Sequence, residues 1–221
     1  MEAAVEVDIT KVMRAEAAQA GAVLARAFWD DPLFVYVAPD EKQRAAALPS
    51  TMTTGVMLGL LGGGEVYRPV PEALQRAVPE ALEGAAIWMP PWHPHVTEAE
   101  IAEAGGGSIA SFVGKDGAWR FATALDAFNQ HRANNMGDGQ HWYLMVLGVD
   151  PDRQGQGIGG RLIAPILARA DEERLPVYLE TCKERNLAFY RKHGFEVASE
   201  GETPDGGLRF WSMKRIATRT N

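Results

Sequence analysis

The sequence predicts a protein of the α/β or α+β class, and three observations support this assignment. Residues 141–215 follow the order strand, helix, strand, helix, strand, strand. Residues 1–140 are mostly helical and interrupted by glycines, with two short extended segments. The 221 residues exceed a minimal domain and fall short of two, which favours a single domain. We expect residues 1–215 to form that domain and residues 216–221 to fray.

Acidic residues and prolines delimit the first helices. Residues 15–29 are alanine-rich with apolar positions at helical spacing, and this helix should end before Pro32, because the residue preceding a proline is disfavoured in the α region. Asp40 is a candidate N-cap for a second helix. That helix should continue, with a kink at Pro49, to the glycines at 62–64.

The middle of the chain alternates short extended segments, loops and helices. The predicted elements are extended at 65–70 and 85–89, loop at 90–95, and helical at 97–104 and 118–135. Prolines separate the extended segments, among them Pro71 and Pro79. Thr97 and Glu100 have the capping-box spacing, which predicts a helix start at Thr97.

The last third of the chain carries the strongest periodicity. Residues 141–149 are rich in aromatic and branched side chains, which is typical of a mostly buried strand. The elements that follow are a helix over 161–174, a strand over 176–181, a helix over 186–193 closed by Gly194, and a hairpin of 195–199 with 208–214.

Charge and cysteine content exclude several classes of function. The net charge of −7 and the pI near 5.3 disfavour nucleic acid and anionic membranes as partners. The single Cys182 excludes an internal disulfide framework and a multi-cysteine zinc site, so no metal is expected. Residues 1–8 lack a signal-peptide pattern and no apolar run could span a bilayer, which predicts a cytoplasmic protein without a membrane span.

A glycine cluster follows the strand predicted at 141–149. Glycines occupy positions 155, 157, 159 and 160, directly before a predicted helix. Glycines let backbone N–H groups turn toward an anion at the positive end of a helix. The cluster therefore predicts a cradle for a diphosphate.

A nicotinamide or flavin site is the alternative interpretation of this cluster. Gly155, Gly157 and Gly160 match the dinucleotide fingerprint, and Glu180 stands about where that motif has its ribose-binding acid. However, the polar residues 150–154 separate the strand from the first glycine, and too few residues follow for a doubly wound sheet. A P-loop is excluded because no Gly-Lys-Ser/Thr follows. A dinucleotide-dependent oxidoreductase therefore remains the less favoured alternative.

A set of motifs over residues 141–195 resembles a known family. The motifs are Leu147-Gly148-Val149 at a strand end, then Gln154-x-x-Gly157-x-Gly159, Asn186, and Tyr190-x-x-x-Gly194-Phe195. Together they resemble the GNAT superfamily of acetyl-CoA-dependent N-acetyltransferases. The resemblance implies a mixed, mostly antiparallel sheet that is splayed between two parallel strands and flanked by helices. It also implies that residues 141–215 bind acetyl-CoA and that a helical region over 97–139 lies on the acceptor side.

The resemblance also implies which residues hold the acetyl donor. The diphosphate would bind the backbone amides of the glycine turn, and the pantetheine arm would lie along the strand end at 147–149. The implied binding residues are Leu147, Gly148, Val149, Gln154, Gly155, Gln156, Gly157, Ile158, Gly159, Gly160, Thr181 and Asn186. Asn186 stands closer to Tyr190 than the asparagine of many family members does, and this spacing places both on one helix face.

Acetyl transfer to an amine needs a base, an oxyanion-stabilising group and an acid. The resemblance implies Glu180 as the base, although a solvated strand end or a structural ion pair with Arg185 would fit Glu180 equally. His141 and Tyr143 are alternative bases, His141 because its ordinary pKa suits the task. Tyr190 is the implied acid for the departing thiolate, and a backbone N–H near the strand end would stabilise the oxyanion. Cys182 has no base beside it in sequence, so direct transfer is favoured over an acetyl-cysteine.

The acceptor is predicted to be the primary amine of a small molecule, including antibiotic-like amines. Aromatic and acidic residues on predicted loops could face it, namely Trp29, Asp30, Asp31, Phe34, Tyr36, Trp88, Trp92, His93 and His95. Phe34 and Trp88 could equally be core residues, and Asp30 and Asp31 could only end a helix. A non-catalytic acyl-CoA-binding sensor on the same fold is the alternative to an enzyme. We expect a monomer or homodimer.

Overall fold

The structure is a computed structural model that describes residues 9–70, 82–93, 96–105 and 109–218. It contains a seven-stranded sheet in the order β1-β2-β3-β4-β5-β7-β6. The strands are β1 (Ile9–Lys11), β2 (Glu65–Pro69), β3 (Gly84–Met89), β4 (Trp142–Val149), β5 (Val177–Thr181), β6 (Glu196–Glu202) and β7 (Arg209–Arg215).

Helices cover both faces of the sheet. They are α1 (Ala17–Ala27), α2 (Pro32–Val37), α3 (Glu41–Leu61), α4 (Glu98–Glu103), α5 (Ile109–Met136), α6 (Ile158–Glu173) and α7 (Asn186–Lys192). A hydrophobic core lies on each face of the sheet. Alternate residues of β3 contribute to the two cores, because successive side chains of a strand point to opposite faces. Trp88 packs with residues of α6 and α7, whereas Ile87 packs with residues of α1 and α3.

Every strand pair is antiparallel except β4 with β5. The parallel pairing is short, since it joins only Trp142 to Val177 and Tyr143 to Tyr178. The predicted α/β class and the mixed, mostly antiparallel sheet are therefore confirmed. The early end of this pairing leaves a gap in the middle of the sheet.

The chain after α1 differs from the prediction. Pro32 was expected to end a helix, and it does follow α1. It also occupies the first position of α2, where the backbone N–H of any residue lacks an intrahelical partner, so a proline there costs no hydrogen bond. The Asp31 carboxylate caps this helix by accepting a hydrogen bond from the Leu33 amide (3.1 Å). Phe34 and Tyr36 therefore lie on a helix and not on a loop.

Two predicted helix starts are confirmed by their caps. Asp40 accepts a hydrogen bond from the amide of Gln43 (2.9 Å) at the start of α3. Thr97 and Glu100 form the reciprocal capping box of α4. Helix α5 is longer than predicted, and it changes direction at Gly114, where φ is 70°.

Helix α6 begins earlier than predicted. The expected start was residue 161, but Gly157 is the N-cap and residues 158–160 form the first helical turn. The final hairpin is confirmed as the antiparallel pair β6 and β7. Trp88 lies in the segment predicted as extended at 85–89 and is fully buried in β3, so the core alternative holds and not the acceptor-facing one.

Some predictions fall outside the described residues. They concern the acidic segment 1–8, Pro71 and Pro79, His95, and the end of the tail at 219–221. Within the described segments, no helix combines the length and the apolarity needed to cross a lipid bilayer.

A partly buried bidentate ion pair joins β7 to the end of α6. Arg215 donates to both carboxylate oxygens of Asp171 (2.8 and 2.6 Å) and to the carbonyl of His193 (3.2 Å). The guanidinium lowers the pKa of Asp171 to about 2, with burial acting in the opposite direction. The pair thus fixes the segment that ends α7.

We expect Arg215→Met to lower the free energy of unfolding by about 3 kcal/mol, because it leaves the Asp171 charge without its partner. An ion pair that lowers a carboxyl pKa stabilises the fold at pH values above the unfolded-state pKa of about 4. This stabilisation is lost as the pH falls toward about 2. The difference between wild type and Arg215→Met should therefore shrink between pH 5 and pH 2 in urea titrations.

Arg209→Met is the matched control on the same strand, since Arg209 pairs with Glu200 in an exposed contact (2.6 Å). This control substitution should lower the free energy of unfolding by less than about 1 kcal/mol. Equal losses for the two variants would contradict the role given to Arg215.

Candidate active site

A cleft of about 940 Å³ opens where β4 and β5 separate. Beyond Tyr143 the two strands no longer pair, and residues 144–149 line the cleft along β4. The register between β3 and β4 shifts between Ile87 and Trp88, so Met145 is an extra residue on β4. Such a bulge bends a strand and changes the direction of its backbone groups.

The glycine turn lies at one end of this cleft. Gly155 and Gly157 have φ values of 79° and 77°, which only glycine adopts readily. The Gln154 side chain donates to the Val149 carbonyl (3.2 Å), and Arg161 donates to the Gln156 carbonyl (2.9 Å). These bonds hold the turn between β4 and α6.

The first turn of α6 presents backbone donors to the cleft. Ile158, Gly159 and Gly160 line it, and the first intrahelical turn of an α-helix leaves its N–H groups without partners inside the helix. A Cβ on Gly160 would lie 3.0 Å from the ring of His193, and one on Gly159 would lie 3.3 Å from that of Phe189. Side chains larger than hydrogen would therefore crowd this turn against α7.

The strand end at 147–149 forms the adjoining wall. Leu147, Gly148 and Val149 all line the cleft. A Cβ on Gly148 would lie 2.7 Å from Leu24 Cδ2, so α1 packs directly on the backbone here. Across the cleft, Asn186 donates to Thr181 Oγ1 (3.1 Å).

The structure brings the predicted donor-binding residues together around this cleft. Leu147, Gly148, Val149, Gln154, Gly155, Gly157, Ile158, Gly159, Gly160, Thr181 and Asn186 line it. Gln156 is exposed and is not part of the lining. Its carbonyl contributes by accepting the bond from Arg161.

Glu180 carries a carboxyl group with an elevated proton affinity. It lies on β5 opposite Ser212, lines the cleft, and its buried Oε1 has no hydrogen-bond partner in the described part of the chain. Burial raises the pKa of Glu180 to about 7, while the Arg132 guanidinium and the hydroxyls of Tyr143 and Tyr178 oppose that rise. The group can therefore exchange a proton near neutral pH.

Tyr190 lies on α7 and lines the same cleft, with 6% of its surface exposed. Its ring packs edge-on against Phe189 (5.1 Å between centroids) and Phe195 (5.8 Å). Burial, with a smaller contribution from Asp31, raises the pKa of the Tyr190 phenol. The phenol is thus held protonated at neutral pH.

His141 and Tyr143, the alternative bases, differ in position. His141 is buried, and its Nδ1 lies 2.8 Å from the Gly139 carbonyl oxygen, while the lining of the cleft does not include the residue. Tyr143 does line the cleft, but burial and the nearby Glu180 raise the pKa of its phenol well above its ordinary value. Neither group is placed to remove a proton from an amine at neutral pH.

Arg185 does not form the structural pair with Glu180 that the sequence left open. Its guanidinium lies 3.5 Å from Asp30, which also pairs with Lys183 (2.6 Å). Cys182 lines the cleft, and burial together with nearby carboxylates raises the pKa of its thiol. The thiol is therefore protonated at neutral pH and is a poor nucleophile.

The far end of the cleft is apolar. Its walls come from α2, α3 and α5, with the side chains Phe34, Met52, Leu58, Phe121, Leu125 and Phe128. Of the aromatic and acidic residues expected to face an acceptor, Asp31 and Phe34 line the cleft. The remaining described ones do not, namely Trp29, Asp30, Tyr36, Trp88, Trp92 and His93.

Sequence reasoning missed Arg132 and the full role of Asp31. Arg132 lines the cleft from α5, and Asp31 combines the α2 cap with a pKa that burial raises to about 6. A signal for Arg132 was present, because it occupies the same helical face as Phe121, Leu125 and Phe128. A lone arginine in an apolar stripe is the pattern that could have identified it.

Comparisons with known proteins agree with this geometry. Residues 101–197 match the family described as Acetyltransferase (GNAT) domain. An uncharacterized N-acetyltransferase of Schizosaccharomyces pombe is 29% identical over 181 residues, covering 80% of this chain and 69% of the relative.

Solved structures share the fold at low sequence identity. A Corynebacterium glutamicum protein named histone acetyltransferase HPA2 and related acetyltransferase has a TM-score of 0.68 at 19% identity, covering 97% of this chain and 98% of that one. Arylalkylamine N-acetyltransferase 2 of Aedes aegypti has a TM-score of 0.59 at 10% identity, covering 96% of this chain and all of the other (100%).

Proposed function

The chain carries a GNAT acetyltransferase domain, and from this premise we propose that it transfers an acetyl group from acetyl-CoA directly to the primary amine of a small molecule. One observation carries the proposal. The half-buried Glu180 and the buried phenol of Tyr190 face one cleft, beside a helix N-terminus built from glycines. A base, an acid and an anion site therefore adjoin one another.

The donor half of the cleft suits coenzyme A. The first-turn amides of α6 are donors for its diphosphate, and the unpaired edge of β4 beyond Tyr143 offers backbone groups to its pantetheine amides. Thr181 and Asn186 border that path from β5 and α7. We propose that residues 141–215 hold the donor and that the preceding part of one domain, residues 1–140, shapes the acceptor site.

The residues divide the proton transfers between them. Glu180 takes a proton from the ammonium of the acceptor, and the neutral nitrogen then forms the C–N bond at the thioester carbonyl. Backbone N–H groups near the β4 bulge stabilise the negative charge that develops on the carbonyl oxygen. As the C–S bond breaks, Tyr190 gives its proton to sulfur. The nitrogen loses its second proton, which makes up for the proton that Tyr190 has given. The products are an amide, free thiol and one proton.

The acceptor is proposed to be a small amine, including antibiotic-like amines. We include antibiotic-like amines because residues 141–144, 179–181 and 185–190 look similar to motifs of puromycin N-acetyltransferase. The apolar far wall supports a ring or branched group beside the amine. We place the enzyme in the cytoplasm as a monomer or homodimer, a compartment that the single Cys182 suits.

Gly155→Val should weaken acetyl-CoA binding by roughly tenfold or more. The branched side chain blocks the approach of the diphosphate to the turn, and about one hydrogen bond between the diphosphate and a backbone amide is lost. Gly137→Val is the matched control, because Gly137 also has a positive φ (58°) and open space around its Cβ, and it lies outside the cleft lining. Calorimetric titration with acetyl-CoA compares the two. A similar affinity for both variants would remove the turn from the donor site.

The proposed activity is tested by following thiol release from acetyl-CoA with a panel of primary amines. We expect release with at least one amine, and the acetylated amine should appear by mass spectrometry. Acetyl-CoA binding without thiol release from any amine would favour the non-catalytic sensor. A rise in melting temperature with NAD and none with acetyl-CoA would favour the oxidoreductase.

A further inference from the structure

Arg132 is a buried cation in the wall of the acceptor half of the cleft. It has 5% of its surface exposed and lies on α5. Its Nη2 donates to Asn129 Oδ1 (2.7 Å), and its guanidinium carbon lies 4.3 Å from the centre of the Tyr143 ring. In the described part of the chain it has no carboxylate oxygen within 4.0 Å.

The other buried arginines of the described segments have stronger partners. Arg215 binds both oxygens of Asp171, and Arg44 donates to the carbonyls of Ala38 (2.7 Å) and Pro39 (3.2 Å). Neither of these arginines lines the cleft. A guanidinium has five N–H donors, and a buried charge is costly unless it is paired. Arg132 therefore has donors to spare at a place where an acceptor would bind.

The charge of Arg132 restricts which amines can bind. A purely cationic acceptor would place its ammonium near a guanidinium in a site of low dielectric, where like charges repel strongly. An acceptor that also carries a carboxylate would instead pair with Arg132. Glu180 lies near enough to feel the guanidinium charge and beyond direct contact with it, so the two groups can hold different ends of one small molecule.

An apolar surface continues from Arg132 along the same face of α5. Phe121, Leu125 and Phe128 precede it at helical spacing and line the cleft. Phe34 of α2 extends this surface, since its ring lies 6.4 Å from that of Phe121. A group that binds Arg132 through a carboxylate would direct a neighbouring hydrocarbon or aromatic side chain onto this surface.

We propose that the acceptor is an α-amino acid with an apolar or aromatic side chain, whose carboxylate binds Arg132 and whose amine faces Glu180. This inference rests on the proposed acetyltransferase function and names its substrate class. An α-amino acid suits the site because Glu180 and Arg132 both lie beside Tyr143, so an amine and a carboxylate that are attached to one carbon can face them together. Arg132 is then the specificity-determining residue, and Glu180 keeps its role as the base.

The test compares acceptors that differ only in the carboxylate. L-phenylalanine is compared with 2-phenylethylamine, and L-leucine with isoamylamine, by thiol release and product mass. For wild type we expect kcat/KM to be at least about tenfold higher for each amino acid than for its decarboxylated partner. Arg132→Met should lower kcat/KM for L-phenylalanine by about a hundredfold, mainly through KM. The same variant should raise kcat/KM for 2-phenylethylamine, because the guanidinium that repels a cationic acceptor is removed. Arg132→Lys should restore part of the loss.

The possible outcomes distinguish an error in the substrate class from an error in the proposed acetyltransferase function. Equal use of L-phenylalanine and 2-phenylethylamine by wild type, or activity with amines and none with the amino acids, would overturn the substrate class and leave the acetyltransferase in place. Equal losses for both acceptors in Arg132→Met would also overturn it. Failure of acetyl-CoA to bind would instead refute the proposed function. If Arg132→Met does not fold, the wild-type comparison and Arg132→Lys decide.

Discussion

Glu180→Gln lowers kcat/KM by about 10²–10³, the expected loss when a positioned base is replaced by an isosteric amide. The amide fills the same space on β5, so the fold and the donor site are retained. The ammonium of the acceptor, however, must then lose its proton to water. Steady-state thiol release with the best amine of the panel measures the loss.

The pH profile identifies the group. Burial raises the pKa of Glu180 to about 7, so the carboxyl is protonated and inactive as a base below that pH. Wild-type kcat/KM should rise with pH and show an inflection near about 7. This inflection should be absent in Glu180→Gln, where kcat/KM should keep rising with pH as the free amine becomes more abundant. Glu200→Gln is the control, because Glu200 is exposed on β6 and pairs with Arg209. An unchanged profile in Glu180→Gln would assign the titration to another group.

Tyr190→Phe should lower kcat by about 10²-fold while acetyl-CoA affinity stays the same, because the variant removes only the hydroxyl that protonates the thiolate. The phenylalanine ring keeps the edge-on packing against Phe189 and Phe195, so α7 should retain its position. Turnover with a saturating amine and calorimetric titration with acetyl-CoA are measured on the same preparation.

Tyr36→Phe is the matched control for this experiment. Tyr36 donates to Asp205 (2.9 Å) and lies outside the cleft lining, so the loss of its hydroxyl should leave kcat unchanged. Unchanged turnover in Tyr190→Phe would remove this residue from the mechanism. A loss of acetyl-CoA affinity would show that the hydroxyl serves binding.

The glycine turn of the proposed donor site could be located from the sequence because its signals are local. Positive-φ glycines, a helix start and a strand end lie within a few residues of one another, so one stretch of sequence specifies the turn. The helix was nevertheless predicted to begin at residue 161, because glycines disfavour helix interiors, and they were not expected to form its first turn. Its true start places Ile158 to Gly160 at the helix N-terminus.

The proposed acceptor half depends on contacts between segments far apart in the chain. The periodicity of α5 places Arg132 on an apolar helical face, but it does not predict that this face packs across α2 and α3 and so reaches the cleft. The short helix α2 was missed because Pro32 was interpreted as a stop, while it also begins a helix capped by Asp31. His141 lies directly before β4, yet the cleft opens beyond Tyr143, two residues further on.

Acetyl-CoA binding tests the central claim most directly, since every step requires the donor in the cleft between β4 and β5. Titration calorimetry should show saturable binding of one acetyl-CoA per chain, with a dissociation constant between about 1 μM and 1 mM, and Gly155→Val should weaken it. No detectable heat at about 1 mM acetyl-CoA, or equal binding by wild type and Gly155→Val, would contradict the account.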